Sequence, residues 1–155
     1  MKDLNQEIAL ITGGASGIGL SIGKRLAEAG MKVALADIEV PVLEEATAEL
    51  KELGLEVMAV HCDVSDMNSV EEMKNQVEET FGTPKIICLN AGIGFGAPMS
   101  EATISDWEWV IGVNLWGVIN GMHTFLPALR EMNEGHILIT ASIAGHISVP
   151  NLGPY

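Results

Sequence analysis

The sequence predicts an α/β chain built on a doubly wound parallel sheet. Three observations lead there: short apolar runs recur at regular intervals, helical patterns fill the spaces between them, and glycines stand where several of those patterns stop. Apolar strands separated by helices imply a parallel sheet covered on both faces, with right-handed crossovers.

The strand-like runs are residues 8–12, 33–36, 57–61, 86–89 and 136–140, and the helical patterns cover about 17–29, 42–53, 65–81 and 105–132. Gly30, Gly54 and Gly82 are placed as C-terminal stops. Ser65 and Ser105 are the expected N-caps, with Asp66, Asp106 and Glu108 in first turns where a carboxylate favours the helix dipole. Gly23, inside the first helix, costs roughly 1 kcal/mol relative to Ala, and close packing is the ordinary reason for it. Pro127 is expected to bend or end the fourth helix near Leu126. With no linker, repeat or low-complexity stretch, residues 1–155 read as one domain.

Composition narrows the function classes. The chain has 155 residues, 48% of them hydrophobic and 19% charged, which suits a globular α/β core. No apolar run approaches the roughly 18 residues of a membrane span. The start, MKDLNQE, lacks the apolar centre of a secretion signal, so the expected location is cytoplasmic. A net charge of −13 argues against nucleic acid or an anionic membrane as partner. The acids Glu44, Glu45, Glu49 and Glu52, then Glu71, Glu72, Glu78 and Glu79, read as solvated helix faces rather than a metal site. His61, His123, His136 and His146 show no metal-ligand spacing, so no metal is expected. Cys62 and Cys88 sit in apolar runs and read as buried free thiols. Trp107, Trp109 and Trp116 read as packing residues of the fourth helix.

The chemistry concentrates at IALITGGASGIG, residues 8–19. A strand runs into a glycine-rich turn and a helix opens at about Gly17. Gly13, Gly17 and Gly19 let the backbone turn tightly, and the helix start presents N–H groups and a positive dipole end to an anion. That is a cradle for a pyrophosphate. Asp37 follows Gly19 by 18 positions (37 − 19), near where a dinucleotide fold places the carboxylate that binds the adenosine ribose. It would repel a 2′-phosphate, and no Lys or Arg lies in the turn or at position 38 to offset it, so NAD is favoured over NADP. Asp63, after the third strand, could accept from the adenine amino group or cap the following helix. The small residues of Asn90-Ala91-Gly92 would let the backbone pass close to a cofactor.

Together these residues resemble the short-chain dehydrogenase/reductase family. The match runs through Thr12-Gly13-Gly14-Ala15-Ser16-Gly17-Ile18-Gly19, Asp37, Asp63-Val64, Asn90-Ala91-Gly92, Asn114, Ser142 and Tyr155, in the family's order and at about its spacing. Leu89 departs from it, standing where the family often has a second Asn. The resemblance implies a Rossmann-like doubly wound parallel sheet of strand order 3-2-1-4-5, truncated before its last helices and strands. It assigns cofactor binding to Gly13, Ser16, Gly17, Ile18, Gly19, Asp37, Asp63, Val64, Asn90, Ala91 and Gly92. It makes Tyr155 the general acid/base at the substrate oxygen and Ser142 the hydroxyl that orients that oxygen, 13 positions earlier (155 − 142). Asn114 would position a water in the proton relay. Such groups must converge within about 3 Å of one oxygen.

The implied enzyme is an NAD-dependent oxidoreductase acting on a secondary alcohol or ketone and forming a dimer or tetramer at full length. The apolar loops 94–99 and 146–152 are expected to wall the substrate pocket and to favour an apolar substrate. The family has a Lys four residues after its Tyr, and this chain stops at Tyr155. The expectation is therefore a fragment of a longer enzyme, with the fifth strand left as an open apolar edge. Two other classes stay open: a catalytically inactive dinucleotide-binding or interaction protein, and a methyltransferase, which also uses a glycine turn and a strand-end acid.

Overall fold

The computed structural model describes residues 4–155, so the first three residues of the MKDLNQE start lie outside the described part. Elements alternate along the chain: β1 (Ile8–Thr12), α1 (Gly17–Glu28), β2 (Lys32–Asp37), α2 (Val40–Glu52), β3 (Val57–His61), α3 (Met67–Thr80), β4 (Ile86–Leu89), α4 (Ile104–Ile111), α5 (Gly117–Met132) and β5 (His136–Ile139). A π-helical turn, Gly112–Trp116, joins α4 to α5. The five strands form one parallel sheet of order β3-β2-β1-β4-β5, as the resemblance implies.

Side chains alternate across the sheet and build a core on each face. Ala9, Ile11, Val33 and Leu35 point to the side covered by α1 and α2, against Ala27, Leu43 and Leu50. Leu10, Ala34, Val60 and Ile87 point to the other side, against Val70, Met73 and Val77 of α3 and Phe125 and Leu129 of α5. Gly23 is explained here, because a Cβ at that position would sit 2.5 Å from a methyl of Leu35. Gly30, Gly54 and Gly82 follow α1, α2 and α3 at positive φ, as their placement predicts.

Burial on both faces holds for β1, β2 and β4 but not for β5, where Leu138 and Ile139 are about half exposed (49% and 46%). The expected apolar edge at the fifth strand is therefore present among the described residues.

Four local expectations are corrected. Ser65 does not cap α3, because its N–H and hydroxyl both donate to Asp63 Oδ1 (2.9 and 2.7 Å). Asp66 takes that place by accepting from the Asn68 amide at 3.0 Å. Ser105 lies inside α4, whose cap is Thr103. The Thr103 hydroxyl accepts from the Asp106 amide while the Asp106 carboxylate accepts from the Thr103 amide, a reciprocal box that satisfies two helix-end donors. The Thr103 hydroxyl also donates to Asp106 Oδ2 at 2.7 Å, and this bond, followed by the one from the Thr103 amide, holds the Asp106 carboxyl below its ordinary range.

The predicted fourth helix is divided at its π turn, yet it continues past Pro127 to Met132. Burial of Phe125 and Leu129 on either side of the proline holds that last stretch against the sheet. Trp109 and Trp116 are about half exposed.

Candidate functional site

Because all five strands are parallel, Thr12, Asp37, His61, Leu89 and Ile139 end along one edge of the sheet. The residues that follow them collect there, the region where open α/β sheets bind ligands.

The turn after β1 is set by close contacts. Gly13 has φ +65°, and a Cβ on it would lie 2.8 Å from Ala91 Cα. Gly19 is helical, but a Cβ there would collide with the Gly13 carbonyl oxygen and lie 2.6 Å from Asn90 Nδ2. The Gly14 amide donates to Ala36 O at 3.0 Å and the Ala15 amide to Asp37 Oδ2 at 3.0 Å, which fastens the turn to the end of β2. Ser16 is the N-cap residue of α1, yet its side chain makes no capping bond and no acid occupies the first turn. Ser16, Gly17 and Ile18 are exposed, and space is open beside Gly17. An uncapped, acid-free helix start beside open space fits a phosphate, whose oxygens would take the place of a capping side chain.

Thr12 and Asn90 brace the turn from below. Thr12 Oγ1 accepts from the Asn90 and Ala91 amides at 3.0 and 3.1 Å and donates to Cys88 O at 3.4 Å. Asn90 Nδ2 donates to Thr12 O and Gly13 O at 3.1 and 3.2 Å, and Asn90 Oδ1 accepts from the Thr140 hydroxyl at 2.9 Å. All three side-chain hydrogen-bonding sites named here are used within the protein, so Asn90 shapes the cradle through its contacts. Thr140 was not among the sequence-predicted site residues. Its position in an apolar strand pattern carries no signal of this contact.

Asp37 is half-buried, with Oδ1 accepting from the Glu39 amide at 3.1 Å as well. Asp63 is half-buried after β3 and accepts from Ser65, while its own amide donates to Ser69 Oγ at 3.0 Å. Of its two sequence readings, the helix cap belongs instead to Asp66. Val64 is buried beside it.

Cys62 and Cys88 lie just under this edge as buried free thiols. Burial pushes the Cys62 thiol up to about 11, against the lowering effect of Ser69, with Asp63, Asp66 and Asp37 adding to the rise. Burial alone raises Cys88 to about 11.

Asn114 sits in the π turn, the irregularity that often marks a functional site within a helix. Its Oδ1 accepts from the Ile93 amide at 2.8 Å and its Nδ2 donates to Ile93 O at 2.9 Å, so its side chain grips the segment after β4. A Cβ on Gly92 would lie 3.4 Å from the same oxygen. Ser142 precedes a short 3₁₀ turn, Ile143–Gly145, and its Oγ accepts from the Ala144 amide at 3.1 Å. Tyr155 is about half exposed, with its amide bonded to Leu152 O at 3.1 Å. Among the described residues Ser142 and Tyr155 share no hydrogen bond. The two loops expected to wall a substrate pocket do meet: Ala97 pairs with Leu152, the Ala97 amide donates to Asn151 O at 3.0 Å, and a Cβ on Gly153 would touch Met99 Sδ.

Comparison with known proteins agrees with this geometry. A family model described as short chain dehydrogenase matches residues 7–155. The C alpha-dehydrogenase of Sphingobium sp. strain SYK-6 is 38% identical over all of this chain, which covers 52% of that protein. A short-chain dehydrogenase/reductase from Burkholderia phymatum, solved in complex with NAD, superposes with a TM-score of 0.97 at 38% identity, over 100% of this chain and 56% of that one. An alcohol dehydrogenase from the archaeon Thermococcus sibiricus, complexed with 5-hydroxy-NADP, gives a TM-score of 0.89 at 37% identity, over 96% of this chain and 63% of that one. The chain thus spans about half the length of the curated relative it matches. Among the described residues, no helix is long and apolar enough to cross a membrane.

Proposed function

The chain belongs to the short-chain dehydrogenase family, and from that membership we propose that it carries the cofactor half of an NAD-dependent oxidoreductase interconverting a secondary alcohol and a ketone. Residues 1–155 act in this reading as one NAD-binding unit. The observation that carries it is the bond between the Ala15 amide and Asp37 Oδ2, which sets a carboxylate beside an uncapped helix start. That carboxylate would accept from the ribose hydroxyls and would repel a 2′-phosphate.

NAD, when bound, supplies the hydride acceptor. The amides at the start of α1, with Ser16, Gly17, Ile18 and Gly19, would hold the two phosphates. Asp63, with Val64 beside it, would hold the adenine. Asn90, Ala91 and Gly92 would let the backbone pass close to the nicotinamide end.

Tyr155 takes the proton of the alcohol oxygen, and Ser142 hydrogen-bonds that oxygen to orient it. Asn114, its side chain bonded to Ile93, would position a water of the proton relay. The joined loops at Ala97 and Leu152 are apolar and suit an apolar alcohol or ketone.

Titration of the chain with NADH, NADPH and S-adenosylmethionine tests the reading, alongside NADH formation from NAD and a panel of secondary alcohols. Tighter binding of NADH than NADPH is the expected result, and any turnover is lost in Tyr155→Phe. Binding without turnover returns the chain to the inactive dinucleotide-binding class. Binding of S-adenosylmethionine alone overturns the proposal.

A further inference from the structure

The segment after β3 leaves the sheet and cannot draw on a strand ladder for its shape. Three of its amide hydrogens are satisfied locally: Asp63 N–H by Ser69 Oγ, Ser65 N–H by Asp63 Oδ1 and Asp66 N–H by Asp63 O. The carbonyls of Val64 and Ser65 are held from elsewhere. Asn120 of α5, 7% exposed, donates from Nδ2 to Val64 O at 3.0 Å and to Ser65 O at 3.4 Å.

Gly117 brings the helix close enough for that reach, since a Cβ there would lie 2.7 Å from Val64 Cγ2. The same helical rod grips Ile93, after β4, through Asn114. The π turn and the start of α5 thus hold the two segments proposed to flank opposite ends of the cofactor.

We infer that Asn120 is a positioning residue for adenine recognition, acting by fixing the Val64 and Ser65 carbonyls so that Asp63 and Val64 stand at the sheet edge. This rests on the NAD reading above. Asn120 touches neither cofactor nor substrate in this role. A buried carbonyl that loses its donor is left unsatisfied, so the segment must shift to find water.

The test uses the full chain and calorimetric titration with NAD, AMP and nicotinamide mononucleotide. Asn120→Leu, which keeps the volume and removes the donor, weakens AMP and NAD binding by about tenfold. Nicotinamide mononucleotide binding stays unchanged, a split that general loss of structure would not produce. Gly117→Ala, which pushes on Val64 from the same helix, gives the same split and decides alone if Asn120→Leu does not fold.

Parental AMP affinity in folded Asn120→Leu, or equal losses for AMP and the mononucleotide, overturns the inference. A parent chain that binds neither NAD nor AMP refutes the cofactor reading instead. Amide hydrogen exchange at Ser65 and Asp66 then decides the positioning role: faster exchange in Asn120→Leu supports it, and unchanged exchange overturns it.

Discussion

Asp37 Oδ2 accepts the Ala15 amide hydrogen at 3.0 Å, so the acid at the end of β2 and the glycine-rich turn after β1 form one unit. The carboxylate therefore has two separable effects: its oxygen holds the turn, and its charge opposes a 2′-phosphate. Asp37→Asn keeps an oxygen for Ala15, removes the charge and gives up the acceptor for the exposed Glu39 amide, which water can replace. In that variant the preference for NADH over NADPH falls by about tenfold, while the unfolding midpoint moves little. Asp37→Ala loses both effects and weakens both cofactors. Fluorescence titration with the two reduced cofactors checks the pattern, and an unchanged preference in Asp37→Asn refutes it.

Gly19 separates helix propensity from packing. It is a helical glycine, where Ala ordinarily stabilises by about 1 kcal/mol. Its Cβ would collide with Gly13 O and crowd Asn90 Nδ2. Gly19→Ala is expected to reverse the sign, lowering stability by about 1–3 kcal/mol and abolishing cofactor binding. Urea denaturation beside a cofactor titration measures both effects. A stabilised Gly19→Ala that still binds NADH would contradict the geometry.

The buried thiols predict an alkaline limit to stability. Cys62 and Cys88 are raised from 9.0 to about 11, so the folded state holds their protons more tightly than the unfolded state. Their contribution is complete below about pH 9 and is lost as pH rises through about 11. Lys85, raised chiefly by its hydrogen bond to Glu7 and then by Glu134, loses its contribution in the same direction. The Cys62→Ala/Cys88→Ala double variant removes the thiol share alone. Denaturation curves from about pH 8 to 11 should then fall less steeply than for the parent, and equal slopes would exclude the thiols. At neutral pH both thiols should resist a thiol reagent until the chain unfolds.

Much of the candidate site's geometry was legible because its information is local. The glycine turn, the strand-end acid and Asn90-Ala91-Gly92 follow apolar runs whose parallel pairing brings them to one edge. Asn114 was legible as a position but not in its contacts, since its partner Ile93 lies 21 residues away. Thr140 and Asn120 went unread because nothing local separates a strand-end hydroxyl or a buried helix amide from ordinary packing. The caps at Ser65 and Ser105 failed for a related reason: several neighbouring side chains could serve, and Asp63 drew Ser65 away.

The sequence by itself determined the strands, the sheet's wound character and the glycine cradle, because apolar periodicity and backbone permissiveness act over a few residues. Only the tertiary structure decided which hydrogen-bonding groups remain for a ligand. That depends on which donor meets which acceptor across the sheet edge: Ala15 with Asp37, Thr140 with Asn90, and Asn120 with Val64. A buried polar group must be paired, and its partner can stand 56 residues away, as Val64 does from Asn120.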